Sequence, residues 1–264
     1  MVCVWAFRAL VGAVMCIAGI GQGTAWAGER HPRAEDMRFA VVRSSVLGCE
    51  PDCPAWISAE GMIAANTAAK FEHILRETHG RRLPVVIDSG GGDLHAAVDI
   101  ARMIRIRGLD VAVGRTVFEG CAPSEPRCEN PSNTYRGAIA SMDAYCLSAC
   151  PLVLAGGTGR MVGPLAYAGV HRVSRHRMRN RLVYADGSKG RTRIEKSILI
   201  SSAIDPRVHK KLRRHFQTMG ISEDLLAWLE ATPASSIRIL SQVELFATGL
   251  ANSRRPAESL AHAP

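Results

Sequence analysis

The stretch Leu83-Pro-Val-Val-Ile-Asp88 runs into Ser89 and three consecutive glycines, Gly90, Gly91 and Gly92, and then into a helical pattern opened by Asp93. An unbroken run of apolar, β-forming residues belongs to a strand buried on both faces, the parallel type. The glycines end it and admit backbone conformations with positive φ. Asp93 is an N-cap for a helix over Leu94–Arg107, and Leu109-Asp-Val-Ala-Val113 reads as the next strand. Upstream, Phe39-Ala-Val-Val-Arg43 reads as a first strand. Residues 55–61 read as a second strand, leading into a helix near Met62–Thr78 in which Ile63, Ala68, Phe71, Ile74 and Leu75 recur near a 3.6-residue period. Strand and helix in alternation are the signature of a layered α/β domain.

Further along, Ser148–Gly156 predicts a short helix of small and aliphatic residues. Arg160-Met-Val162 and Ala166–His171 read as two strands. The remainder is mainly helical. Asp205-Pro206 opens a helix to about Met219, with Gly220 as its stop. Ser222 caps a second helix, and Ser241 with Glu244 opens a short third one closed by Gly249.

Three features then line up for acyl-transfer chemistry. A serine hydroxyl attacks only when a base removes its proton and donors await the oxyanion. Ser148 at the start of a helix leaves the neighbouring N–H of Ala149 free to donate. A glycine at 91, with Gly92 as the alternative, lets a strand end approach closely and present a second N–H. His171, at the end of an apolar β run, is the candidate general base.

These segments carry a resemblance. Val86-Ile-Asp-Ser-Gly-Gly-Gly-Asp-Leu-His-Ala-Ala-Val-Asp-Ile-Ala101 resembles the Ser-Pro-Gly-Gly turn and following helix of the Clp protease proteolytic subunit. Cys146-Leu-Ser-Ala-Cys-Pro-Leu-Val-Leu-Ala-Gly-Gly157 is similar to its nucleophile helix, and residues 160–171 to the segment bearing its catalytic histidine. Glu244-Leu-Phe-Ala-Thr-Gly-Leu250 is a weaker echo of its close. An exported relative with a Cys-x-Ser-Ala-Cys core fits better than the protease itself. The resemblance implies a ClpP/crotonase-like α/β fold, a layered strand-strand-helix spiral with a helical C-terminal part. It implies Ser148 as nucleophile, His171 as base, and Gly91 (or Gly92) and Ala149 as oxyanion donors, with no metal and no cofactor.

The chain departs from that pattern in three places. Gly90 stands where the family turn has proline, and Ala149 where it has methionine. The family's aspartate falls here at Ser236 or Ile237, so the third triad member is open. Asp205, Glu223 and Asp224 are candidate substitutes, Ser235 and Ser236 weaker ones, and a Ser–Lys pair through Lys210 or Lys211 has no motif behind it.

Residues 1–27 have no acidic residue, an apolar run from Ala9 to Ile20, and Ala25-Trp26-Ala27 before Gly28. They read as a secretory signal peptide, which places the protein across the inner membrane in the periplasm. Cys49, Cys53, Cys121, Cys128, Cys146 and Cys150 follow. In an oxidising compartment such an even set forms disulfides, and six cysteines allow about 15 pairings. Cys121–Cys128 and Cys49–Cys53 are the easiest local pairs to close; Cys146 and Cys150 can join each other or Cys121 and Cys128.

The net charge of +9 is concentrated between Arg172 and Lys196. That stretch reads as a solvated hairpin or arm (172–197), with an anionic envelope surface as its partner class. It matches no nucleic-acid module. The expected organisation is a signal peptide at 1–27, an N-terminal strand and Cys loop at 28–54, the main domain at 55–252 and a tail at 253–264. The leading reading is a serine peptidase or hydrolase acting on peptide or protein, with assembly into a homo-oligomer open. The rival is a catalytically degenerate member of the same fold that binds a peptide or partner in its cleft.

Overall fold

The structure is a computed structural model describing residues 36–125, 128, 134–184, 191–201 and 205–262, with the backbone alone for 175–184 and 191–201. All of these lie in one compact unit, His31–Pro264. The expected signal peptide lies outside the described residues.

A seven-stranded mixed sheet organises this unit. Its strands are β1 (Arg38–Ser44), β2 (Ala55–Glu60), β3 (Val85–Asp88), β4 (Val111–Val113), β5 (Arg115–Phe118), β6 (Thr134–Ala140) and β8 (Arg160–Val162). They lie in the order β5-β6-β1-β2-β3-β4-β8. The run β2-β3-β4-β8 is parallel throughout. Its first two crossovers contain α1 (Thr67–Glu77) and α2 (Leu94–Arg107). A smaller sheet, β12-β9-β7, joins Tyr145–Leu147 (β7), Tyr167–Val170 (β9) and Arg238–Ile239 (β12). Strands β10 (Arg175–Tyr184) and β11 (Arg191–Ser201) pair as an antiparallel hairpin. The C-terminal part carries α4 (Pro206–Met219), α5 (Glu223–Ala231) and α6 (Gln242–Ala247), after the short α3 (Cys150–Ala155). The expected α/β fold with a helical C-terminal part is what the structure shows.

The continuous apolar runs have a direct cause. Val41, Ile57, Val85, Ile87, Val111 and Val113 point into the core shared with the helices. Their neighbours Val42, Trp56, Val86 and Ala112 point to the opposite face, into a second core with Ala257 and Ala261. Side chains of a strand alternate between faces, so burial on both demands an apolar residue at every position. Two segments expected outside the main domain are therefore part of its core. Strand β1 sits between β6 and β2 within the large sheet. Residues 257–261 form a 3-10 turn over its second face, where the Glu258 carboxylate accepts from the Ser141 N–H and hydroxyl, each at 2.6 Å.

Local signals fix several helix ends. The Asp93 carboxylate accepts from the Ala96 N–H, and Gly108 closes α2 with φ of 62°. The capping box of Ser241 and Glu244 opens α6. Helix α1 begins later than the sequence pattern predicts because Ile63 is engaged elsewhere. Its N–H donates to Gly91 O and its carbonyl accepts from Asp93 N–H, both at 2.7 Å. That backbone cannot also take part in a helix.

Helix α4 buries His215, whose Nε2 donates to Leu152 O at 3.1 Å. Burial pushes this imidazole down to about 4. The hydrogen bond to Leu152 opposes the shift, and Arg102, Lys211 and Arg105 reinforce it. Between the ordinary value of 6.5 and about 4, the unfolded chain binds a proton that the folded one refuses. Stability from this site is thus complete above the upper value and is lost as pH falls toward the lower, by at most about 3 kcal/mol. In urea unfolding from pH 7.5 to 4, His215→Gln is expected to lose less stability than wild type across that window. Equal slopes would mean the folded state holds the ring charged.

Candidate active site

Strands β7 and β9 run parallel, with Leu147 opposite Gly169. The chain leaves β7 at Ser148 and enters α3 at Cys150. To turn this sharply Ser148 adopts φ of 61°, the left-handed region. For a residue with a Cβ that conformation costs about 1–2 kcal/mol. Neighbouring backbone holds it: Leu147 N–H donates to Ser89 O and Ser148 N–H to Gly169 O, both at 2.9 Å. A strained strand-to-helix turn of this kind presents its hydroxyl at the end of the sheet.

His171 follows β9 directly, so the strand that pins the Ser148 amide also delivers the imidazole. Its Nε2 lies 2.8 Å from Ser148 Oγ, and its Nδ1 lies 2.9 Å from Arg172 O. A carbonyl has no proton to give, so Nδ1 must carry one. In the neutral ring Nε2 is then bare and accepts from the Ser148 hydroxyl, the orientation a general base requires.

The Arg172 carbonyl is itself held. Arg172 N–H donates to Thr232 O at 2.9 Å, and its Nε to Glu230 O at 2.8 Å. Glu230 and Thr232 lie at the C-terminal end of α5, and the Glu230 carboxylate meets His209 Nδ1 of α4 at 2.6 Å. Arg172 thus belongs to the site's scaffold, whereas its charge alone assigns it to the basic arm.

The glycine turn packs onto the serine turn from the other side. A Cβ on Gly91 would fall 2.5 Å from Leu147 O and 2.6 Å from both Ala149 N and Ser148 Cβ. The Gly91 N–H donates to Ser89 Oγ at 3.1 Å, and that hydroxyl donates to Gly61 O at 2.6 Å. The expectation that Gly91 offers an oxyanion N–H therefore passes to its alternative. Among the described residues the N–H groups of Gly92 and Ala149 have no hydrogen-bond partner, and both residues line the cleft that holds Ser148 and His171.

This cleft encloses roughly 460 Å³ and is walled largely by apolar side chains, among them Met62, Leu94, Leu152, Val173, Leu212 and Ile237. Leu212 comes from α4, and no motif pointed to it. The carboxylates named as substitutes for the third triad member are engaged elsewhere. Asp205 accepts from Arg207 N–H, Glu223 from Gln217, and Asp224 from Ser222. Lys211 meets His95 Nδ1 rather than Ser148. Ser236 donates to Pro233 O, and its neighbour Ile237 lines the cleft. No cluster of His, Cys, Asp or Glu able to hold a metal occurs among the described residues.

The six cysteines among the described residues form local disulfides: Cys49–Cys53, Cys121–Cys128 and Cys146–Cys150. No helix of the described residues is long and apolar enough to cross a membrane.

No family model and no curated protein matches this sequence. Among solved structures, two mutant forms of the 1510-N membrane-bound stomatin-specific protease resemble it. One aligns with a TM-score of 0.42 at 15% identity, covering 75% of this chain and 78% of that one. The other, in complex with a substrate peptide, gives 0.43 at 15% identity, covering 76% and 75%. A likeness at this level carries no functional argument; the chemistry has to come from the site's own geometry.

Gly91→Ala tests the packing of the two turns. With φ of 95° and three contacts below 3.0 Å, it is expected to cost roughly 3 kcal/mol in urea unfolding. Gly108→Ala, also in the left-handed region but with open space around it, should cost only about 1 kcal/mol.

Proposed function

We propose that this protein is a serine hydrolase of the ClpP/crotonase-like kind, exported to an oxidising compartment and acting on peptides. One observation carries the reading: Ser148 Oγ lies 2.8 Å from His171 Nε2 while Nδ1 faces the Arg172 carbonyl. Serine and base are within proton-transfer reach, and the ring is held in the tautomer that accepts.

The chemistry follows from these positions. His171 Nε2 takes the hydroxyl proton as Ser148 Oγ attacks a carbonyl carbon seated in the cleft. The oxyanion that develops is met by the unpartnered N–H groups of Gly92 and Ala149, which donate without reorganisation. The imidazolium then gives its proton to the leaving amine, and water repeats the sequence to release the acyl group. The apolar wall favours an apolar side chain next to the scissile bond, and three disulfides suit a compartment without reducing thiols. An anionic envelope surface as partner of residues 172–196 and assembly of copies belong to the same proposal and do not alter this chemistry.

The rival reading, a degenerate cleft that only binds, calls for Ser148 and His171 to be out of hydrogen-bond reach. The distance between them favours the hydrolase.

Ser148→Ala and His171→Ala should each lower kcat/KM on a fluorogenic peptide about 10³-fold or more, and the double variant little further, as for residues acting as one unit. Asp205→Asn, Glu223→Gln and Asp224→Asn should each remain within about twofold of wild type, because a backbone carbonyl holds the base. Hydrolysis that persists unchanged in Ser148→Ala removes the reading.

A further inference from the structure

The Cys146–Cys150 disulfide closes a ring of five residues with Ser148 at its centre, across a Cα–Cα distance of 5.1 Å. Both cysteines are fully buried. The two sides of Ser148 are held by different means. On the strand side, Leu147 and Ser148 each donate a backbone hydrogen bond to a neighbouring segment. On the helix side, the Ala149 N–H has no partner among the described residues, and Pro151 has no N–H at all. Leu152 N–H donates to Ala149 O and His215 holds Leu152 O. At positions 149 and 151, however, no N–H ties the turn to a neighbouring segment as on the strand side, and the sulfur–sulfur bond supplies a tether there.

Geometry shows what such a tether excludes. Four residue steps in an extended chain span roughly 13 Å, whereas a disulfide tolerates about 7 Å at most between Cα atoms. While the bond is closed, the segment cannot extend fully, which limits how far Ser148 can relax from its left-handed conformation. The amide required as an oxyanion donor, Ala149 N–H, is held next to the attacking hydroxyl in the same ring.

We propose that the Cys146–Cys150 disulfide is a positioning element of the active site, clamping Ser148 Oγ and Ala149 N–H in register with His171. Its catalytic consequence rests on the serine-hydrolase reading, whereas its structural consequence stands without it. The bland alternative is that the pair only fills core volume, as buried small residues do. Cys49–Cys53 makes a matched control. It has the same sequence separation of 4 and a similar Cα–Cα distance of 4.6 Å, but lies in the turn after β1, away from the cleft.

The experiment uses the oxidised full chain and two paired variants, Cys146→Ala with Cys150→Ala and Cys49→Ala with Cys53→Ala. Two quantities are read: amide hydrogen exchange over residues 145–152, and the rate at which an alkyl fluorophosphonate labels Ser148. In the 146/150 variant, exchange at the Leu147 and Ser148 amides should quicken by roughly tenfold and labelling should slow by a similar factor. On a peptide substrate the loss should fall on kcat and leave KM nearly unchanged. The 49/53 variant should match wild type in both readings. Should the 146/150 variant fail to fold, Cys146→Val with Cys150→Ala preserves core volume and repeats the test. Exchange within twofold of wild type overturns the clamp, and faster exchange with unchanged labelling overturns its role in positioning. A wild-type protein that is never labelled defeats the hydrolase reading instead, while the exchange measurement still decides whether the ring braces the turn.

Discussion

At His171 a backbone carbonyl does the orienting that a side-chain acid does in a typical catalytic triad. Arg172 O sits 2.9 Å from Nδ1, and because a carbonyl only accepts, this contact fixes which nitrogen is protonated. Much of the surrounding structure keeps that carbonyl in place. The Arg172 amide and guanidinium both bind the C-terminal carbonyls of α5, which in turn is tied to α4 through Glu230 and His209. A carbonyl carries only part of the charge of a carboxylate, so it orients the ring well and stabilises an imidazolium less. A hydrolase built this way should be slower than one with a full triad.

The other parts of the site are set by strand register. Strand β9 serves two ends: Gly169 O accepts from Ser148 N–H, and His171 follows two residues later. With β7 and β9 parallel and Leu147 opposite Gly169, the serine and the imidazole emerge at neighbouring strand ends. The glycine turn after β3 closes on them from the third side, at a distance no Cβ would permit. Three chain segments far apart in sequence thus meet beyond the carboxyl ends of strands, where open α/β sheets place their ligands.

Much of this was legible in the sequence where a side chain or a period carries the information. The Asp93 cap and Gly108 give α2 its bounds, and the Ser241–Glu244 box gives the start of α6. The order of the glycine turn, Ser148 and His171 names the segments that the fold brings together. What the sequence hides is backbone chemistry and pairing. The Arg172 carbonyl looks like any other in sequence, so a search for the third group turns to carboxylates that prove to be occupied elsewhere. Gly91 and Gly92 are indistinguishable as letters, and the Ser89 hydroxyl separates them by occupying the Gly91 N–H. Strands β5 and β7, of four and three residues, exist through their partners rather than through any pattern of their own. The arm is drawn from charge alone, which is why Arg172 is assigned to it.

The tautomer of His171 is the most direct test of this account. Nitrogen NMR of the resting protein, with histidine labelled at both ring nitrogens and His171 assigned by comparison with His171→Ala, reports which nitrogen bears the proton. At a pH where the ring is neutral, Nδ1 should be protonated and Nε2 unprotonated, and the Nε2 signal should shift when Ser148 is replaced by alanine. A neutral ring protonated at Nε2 would contradict it, because His171 would then donate toward Ser148 instead of accepting its proton.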